Sequence, residues 1–596
     1  MKKIILLLMC LCLVGCRAKT ETAETTTVPE TTTAATTTTV ETTTVPETTT
    51  AVTTTTVETT TVPETTTAVT TTTAEVTETE TTVKTTEEVT MAETVTTTET
   101  VDVEQTTAET TTAVTTTATT AETATSKAAS KSGSEIVIEA EDAALYGGLS
   151  EAGVDDFSGG RGVGMFSDKE QYIEFSVDIE ETGIYNLTFT GTGIGSDKEN
   201  VISVDGGNVG YVKHLNEKTS DSTVVNVMLD KGSHKITLTQ SWGWIYLDKM
   251  TVEMAEGISE EIYNVKAELI NPNATAETKA LFKFLCDNYG EKILSGQVCD
   301  YGVNGPEFKA IKAETGRYPA ILGLDMMDYS TARTAQGANG KSVEVAIDHC
   351  NERGGIVAYC WHWNAPNEYL KSGSDENGNP RWWGGFYSRN TDFDIAKVMD
   401  GSDPEGKKLL DRDIEEIAKQ LNRLEEKGVP VLWRPLHEAS GGWFWWGAKG
   451  ADAYKKLWVY LYEQLTDVYG CNNLIWVYNG QSADWYPGDK YVDIIGEDIY
   501  TDKRNYLPQT SKFAEAIEYS GENKIVALTE NGVLFDIEDA FVSNTKWAWF
   551  NTWCGDFTVK NNAYNEEYTD KKMLKKVYDS EKVLTLDELP DLKNYR

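Results

Sequence analysis

Between residues 135 and 255 apolar and polar positions alternate in short runs. They are Ile136-Val-Ile-Glu-Ala, Tyr172-Ile-Glu-Phe-Ser-Val, Tyr185-Asn-Leu-Thr-Phe-Thr, Val201-Ile-Ser-Val, Val224-Val-Asn-Val-Met-Leu, Lys235-Ile-Thr-Leu-Thr, Ile245-Tyr-Leu and Met250-Thr-Val. A period of two marks a strand with one face buried. Gly- and Asp-rich turns separate the runs, and about 120 residues of this pattern predict a β-sandwich.

From 262 to 596 the pattern changes to eight apolar strand candidates: Ile293-Leu-Ser-Gly-Gln, Ala320 to Asp325, Ile356 to Trp361, Val429 to Glu438, Leu474 to Tyr478, Asp493 to Tyr500, Ile525 to Glu530, and Trp547 to Trp553. Helical periodicity fills most of the gaps, as in Leu409 to Lys427 and Ala453 to Tyr469. Eight β/α units in this length predict a (β/α)8 TIM barrel. Residues 17–133 show neither period. There Glu-Thr-Thr-Thr-Val-Pro-Glu-Thr-Thr-Thr recurs, with Pro29, Pro46 and Pro63 spaced by 17. So few large apolar side chains cannot offset the entropy of ordering. This segment reads as a disordered Thr/Glu/Pro-rich linker, a stalk open to O-glycosylation, with ends on the order of 60 Å apart as a coil.

The first 16 residues read as an export signal. Lys2 and Lys3 precede an apolar run, Ile4 to Leu13, which is too short to span a bilayer. The run ends in Leu13-Val14-Gly15-Cys16, which resembles a bacterial lipobox, and Cys16 would then carry the lipid. The plain alternative is a secretory signal cut near the same point. A cell-surface lipoprotein or a secreted protein is therefore expected.

The formal charge of −41 argues against nucleic acid and anionic membrane surfaces as partners, because both need basic patches. A neutral polymer or Ca²⁺ suits it better. Of nine cysteines, six fall in the last 330 residues without CxxC or zinc-like spacing, so the count leaves their pairing open.

Two of the barrel strands end in a glutamate followed by a Gly-containing loop: Glu438 before Ser440-Gly-Gly, and Glu530 before Asn531-Gly532. Counting places them on strands 4 and 7, both at the C-terminal mouth where barrel active sites form. One strand-end glutamate would read as an ion-pair partner. Two on these strands are what glycosidic bond cleavage needs, one acid and one nucleophile or base, about 5 Å apart if configuration is retained. One must stay protonated while the other stays ionised, which needs different surroundings.

The runs Trp433-Arg-Pro-Leu-His437-Glu438 followed by Trp443, Gly496-Glu-Asp-Ile-Tyr500, and Leu528-Thr-Glu530-Asn-Gly resemble glycoside hydrolase family 26 over essentially all of 262–596. The resemblance implies a retaining endo-β-1,4-mannanase, with Glu438 as acid/base and Glu530 as nucleophile. It implies that His437 hydrogen-bonds near the nucleophile, that Tyr500 positions it or meets the reacting sugar, and that Trp443 stacks on an adjacent sugar. His362, in Tyr359-Cys-Trp-His362-Trp363, matches the family's Trp-His element, though a core histidine satisfied by a carbonyl fits the same position. Trp443 and one of Trp382 and Trp383, here assigned to Trp382, are expected sugar platforms, because aromatic faces stack on pyranose rings. Asp325, Asn364 and Asn479 also end strands and can reach hydroxyls. An endo-β-1,3-1,4-glucanase, a β-1,4-xylanase or a non-catalytic polysaccharide-binding protein remain alternatives.

The sandwich runs Ile138-Glu139-Ala-Glu141-Asp142-Ala143, Phe157-Ser-Gly-Gly-Arg-Gly-Val-Gly and Trp242-Gly-Trp244-Ile-Tyr-Leu-Asp248 resemble carbohydrate-binding modules of families 6 and 35. In a strand Glu139 and Glu141 face one side, and with Asp248 they form a hard-oxygen set suited to Ca²⁺. The family match implies a structural calcium there; solvated charges are the alternative. Trp242 and Trp244 can both face a ligand, or one can be core. That ligand is a mannan, a galactose decoration or a uronic acid. No cofactor is expected for catalysis. The expected partner is a plant β-mannan, the expected membrane link is the lipid at Cys16, and the chain is expected to act as a monomer.

Overall fold

A computed structural model describes residues 135–596, apart from Met165, Lys169 and the side chains of Ser241 and Trp242. The leader with Cys16 and the Thr-rich linker lie outside the described residues.

Residues 135–255 form two antiparallel sheets. One runs in the order Ser150–Gly153, Arg161–Gly164, Ile245–Met254, Gly183–Gly193 and Ser220–Leu229, with Ile136–Glu139 also paired to Ile245–Met254. The other runs Ala144–Tyr146, Tyr172–Ile179, Gly232–Trp242, Lys198–Val204 and Gly207–His214. Alternate side chains such as Ile173, Phe175, Leu187, Phe189, Leu238 and Leu247 fill the space between them. The runs at 245–247 and 250–252 are one strand, because the register slips between Leu247 and Lys249. That bulge at Asp248 breaks the alternation that a sequence pattern relies on.

The barrel is closed and parallel, with β1 Gly296–Val298, β2 Ile321–Asp325, β3 Ile356–Cys360, β4 Val431–Arg434, β5 Leu474–Tyr478, β6 Ile494–Ile499, β7 Ile525–Asn531 and β8 Phe550–Thr552. Most of these strands are buried along their whole length, as expected where helices cover the outer face. Two strand boundaries differ from expectation. The first apolar run splits at Ser295, so Ile293–Leu294 pairs with Val583–Leu584 near the C-terminus, and only 296–298 enters the barrel. Strand β4 ends at Arg434, leaving Glu438 on the turn beyond it.

The connector between the domains is fastened to the barrel. Asn544 donates to the Ile258 carbonyl at 2.7 Å, Lys546 pairs with Glu260 at 2.9 Å, and the Tyr263 hydroxyl donates to the Asn544 carbonyl at 2.7 Å. The sandwich also touches the loop after β6 and the helix that follows it, Thr510–Ile517: Asn505 donates to the Asn208 carbonyl at 3.0 Å, and Ser511 donates to that of Val225.

Candidate active site

The turn after β4 is strained at the functional point. Leu436 and Glu438 both adopt φ near +53°, in the left-handed region that costs non-glycine residues energy. Hydrogen bonds hold the turn there: the Glu438 amide donates to the Asn479 carbonyl at 2.7 Å, and the Trp446 indole donates to the His437 carbonyl at 2.9 Å. Strain of this kind is over-determined by surroundings, and here it turns the Glu438 carboxyl into the barrel mouth. Trp443 donates to that carboxyl at 3.0 Å. Its ring lies so close to the chain at Gly441 that a Cβ there would sit 2.0 Å from ring carbon.

Glu530, at the end of β7, is fully buried. One carboxylate oxygen accepts from Arg434 at 2.7 Å and the other from the Tyr500 hydroxyl at 2.5 Å. Arg434 also donates to Asp498 and, at 3.2 Å, to the Asn479 side chain. One carboxylate oxygen each from Glu438, Asp498 and Glu530 lie within 4.8 Å of one another. The expected pair therefore meets at close range, with a third acid beside it.

Three acids around one guanidinium cannot all be charged alike. Burial, with the negative neighbours Asp498 and Glu530, drives the Glu438 carboxyl well above the usual range; Arg434 and Trp443 oppose this without reversing it. Burial raises Asp498 to about 7, against the pull of Arg434. Glu438 is thus the carboxyl that its surroundings favour in the protonated form. Glu530, between a guanidinium and a hydroxyl donor, has the surroundings of a carboxylate acceptor.

His362 and His437 lie side by side, Nε2 to Nε2 at 3.3 Å, with His437 fully buried. The hydrogen-bond partner of His437 is thus His362; the donors to Glu530 are Arg434 and Tyr500. Burial, Arg434 and His362 push His437 well below its ordinary value, so it is neutral. His362 is fixed by Asp325, which meets Nδ1 at 2.6 Å and accepts from the His362 amide at 3.1 Å. Burial disfavours the charge on Asp325, but these contacts and the Met327 amide win, so its carboxyl sits below the usual range. His362 is therefore not satisfied by a backbone carbonyl in the way a plain core histidine would be.

The other expected contacts divide. Trp382, in the one-turn segment Arg381–Gly384 of the loop after β3, is half-buried. Asn364 donates to its carbonyl at 2.6 Å. Asn479 spends its side chain inside the protein, donating to the Gly496 carbonyl and Thr529. Asp325 serves His362. In the sandwich Trp244 is 44% exposed, as a ligand platform requires, and the Trp242 side chain lies outside the described residues.

The acidic set of the sandwich is arranged differently from expectation. The strand stops at Glu139, and Ala140–Asp142 is a single helical turn, so strand alternation does not relate Glu139 to Glu141. Ser158 links Glu139 and Asp248 instead: its hydroxyl lies 2.5 Å from the Glu139 carboxylate and 2.7 Å from that of Asp248, and its amide donates to Asp248 at 2.8 Å. Glu141 meets Arg161 at 3.4 Å through one oxygen, while its other oxygen is buried without a hydrogen-bond partner.

Sequence reading gave no role to Asp498. The signal was present: Asp498 stands two residues before Tyr500, and strand alternation puts both on one face. What hid it is the register slip between Glu497 and Asp498 on β6.

Comparison with known proteins places this geometry. The chain matches the profile of glycosyl hydrolase family 26 over residues 270–588 and that of the carbohydrate binding module (family 35) over 136–255. It is 40% identical over 469 residues to a mannan endo-1,4-beta-mannosidase of Thermothelomyces thermophilus, covering 78% of this chain and 92% of that one. A mannan endo-1,4-beta-mannosidase of Bacillus subtilis is 32% identical over 283 residues, 44% of this chain and 70% of that one. Among solved structures, a Podospora anserina GH26-CBM35 beta-(1,4)-mannanase is similar with a TM-score of 0.53 and 37% identity, covering 77% of this chain and 99% of that one. A ruminal GH26 endo-beta-1,4-mannanase gives a TM-score of 0.56 and 30% identity over the same shares.

Proposed function

The chain belongs to glycosyl hydrolase family 26, and we propose that it is a retaining endo-β-1,4-mannanase acting on mannan, glucomannan or galactomannan. The observation that carries this reading is the protonated Glu438 beside the donor-held Glu530, with Asp498, inside 4.8 Å. That separation is short of the roughly 6.5–9.5 Å of an inverting pair and suits a double displacement. In the first step Glu530 attacks the anomeric carbon of the sugar, and the bond to the leaving oxygen breaks. Glu438 gives its proton to that oxygen, and a covalent glycosyl-enzyme results. In the second step Glu438, now a carboxylate, takes a proton from water as the water displaces Glu530 with the same configuration. Arg434 and Tyr500 hold the Glu530 carboxylate still, so its attack needs little reorganisation. Trp443 stands beside Glu438, where the leaving sugar departs, and offers that sugar a stacking face.

The substrate assignment is supported by the similar mannanases and is tested on the exported chain with galactomannan, glucomannan, mixed-linkage glucan and xylan. Rapid viscosity loss with few new reducing ends, on the mannans alone, is the expected result. Cleavage of mixed-linkage glucan or xylan instead keeps the two glutamates and overturns the substrate.

The sandwich serves as a polysaccharide-binding module, with the exposed Trp244 as its aromatic contact. A structural Ca²⁺ in the sandwich is part of this proposal. It is supported by the hard oxygen donors Glu139 and Asp248 meeting at Ser158, and by one buried Glu141 oxygen without a partner. The ion would neutralise this group and tie the first strand to the bulge at Asp248. Chelation should then lower the unfolding midpoint of the sandwich by several degrees, and Ca²⁺ at 100 times its dissociation constant should restore about 2.7 kcal/mol. An unchanged midpoint would remove calcium from this account. Export, and lipidation at Cys16, rest on the charged and apolar order of the leader. With the Thr-rich linker they make a tethered surface enzyme.

A further inference from the structure

We infer that Arg333 is a positioning residue for substrate binding, which sets the Trp382–Trp383 pair as a preformed platform for a sugar away from the cleavage point. The identity of that sugar rests on the mannanase reading above. The platform lies on Arg381–Gly384, one turn of 3-10 helix in the long loop after β3. A single such turn has little stability of its own, so side-chain contacts must fix its direction. Arg333 comes from the neighbouring loop after β2, in the short helix Thr331–Thr334, and is only 4% exposed. Arginine is rarely buried to this degree without work for its donors.

The guanidinium does three things at once. Nε donates to Asp328 at 3.0 Å, Nη1 donates to the Trp383 carbonyl at 2.7 Å, and the group lies over the Trp382 ring at 5.8 Å from its centroid. One side chain therefore grips the backbone of one tryptophan and the ring face of the other. The two indoles meet edge to face at 6.4 Å. Asn364 fixes the Trp382 carbonyl from the other side.

The same two loops are tied at a second point. The β2 loop begins at Asp325, which holds His362, and the β3 loop continues to Phe386, whose ring packs edgewise on His362 at 4.8 Å. Arg333 thus extends to the platform the coupling that Asp325 provides at the reaction centre. A platform set in advance spares the ligand the cost of ordering it. Its contacts are the same before and in the transition state, so they act on KM and leave kcat alone. Lysine keeps the charge for Asp328 but cannot reproduce the planar fork.

The test uses mannohexaose and the variants R333M, R333K, W382A and the double variant R333M/W382A. R333M should raise KM about tenfold with kcat within twofold, and R333K should fall between it and wild type. In the W382A background R333M should add much less than it does in wild type, because Arg333 acts largely through that ring. Should R333M fail to fold, R333K alone and in the W382A background gives the same comparison. Wild-type KM in a folded R333K or R333M variant, or a loss fully additive with W382A, overturns the inference. Wild type that leaves mannohexaose intact overturns the mannanase reading, and this assignment falls with it.

Discussion

Glu530→Ala should lose roughly ten-thousand-fold or more in kcat on galactomannan while folding as wild type, since covalent catalysis then has no nucleophile. Folding is expected to survive because Arg434 keeps Asp498 as its counter-charge. The shortened side chain opens space on the face from which Glu530 attacks. Azide added to this variant, with an activated aryl mannobioside as substrate, should restore part of the turnover. The anion attacks the anomeric carbon, the aryl alcohol leaves, and the product is an α-mannosyl azide of inverted configuration. Mass and proton NMR of the product decide the matter. Wild-type activity in the variant, or an azide product of retained configuration, would sink the assignment of Glu530.

Glu438→Ala should separate substrates by their leaving groups. A polysaccharide leaves as a poorly acidic sugar alcohol and needs the proton, so turnover of galactomannan should drop roughly a thousandfold. A dinitrophenyl mannobioside needs no proton to leave; its first step should stay near wild type, and a burst of dinitrophenol should precede a slow second step. The pH profile carries the same information. The protonated form of Glu438 is the active one, and burial beside Asp498 and Glu530 raises its affinity for that proton. Wild-type activity should therefore persist above the ordinary carboxylate range and fall as pH rises through the raised value. The variant should lack that alkaline limb when assayed on the activated substrate. Equal losses on both substrates, or an alkaline limb that survives the substitution, would contradict the role.

Much of this site was legible in one dimension. A short apolar strand is a local pattern, and eight of them in order fix the barrel, while the charged ends of two of them put Glu438 and Glu530 on its mouth. Where local periodicity broke, the reading broke too. The bulge at Asp248 made one strand look like two, the slip before Asp498 hid a third active-site acid, and Glu141 left the strand for a turn. Each is a departure of one residue from alternation, which reverses the face a side chain takes.

The sequence alone determined the order of the domains, the barrel class, the pair of strand-end glutamates and the acidic character of the chain. These depend on composition and on periods a few residues long. Only the tertiary structure supplied the physical reason for the raised proton affinity of Glu438, because that depends on burial and on charges from β4, β6 and β7 gathered around Arg434. It likewise decided that His437 faces His362 and that Arg333, about 50 residues away in the chain, grips the tryptophan pair. Electrostatic and packing energies fall with distance in space, and strand order in a closed barrel sets that distance without regard to separation along the chain.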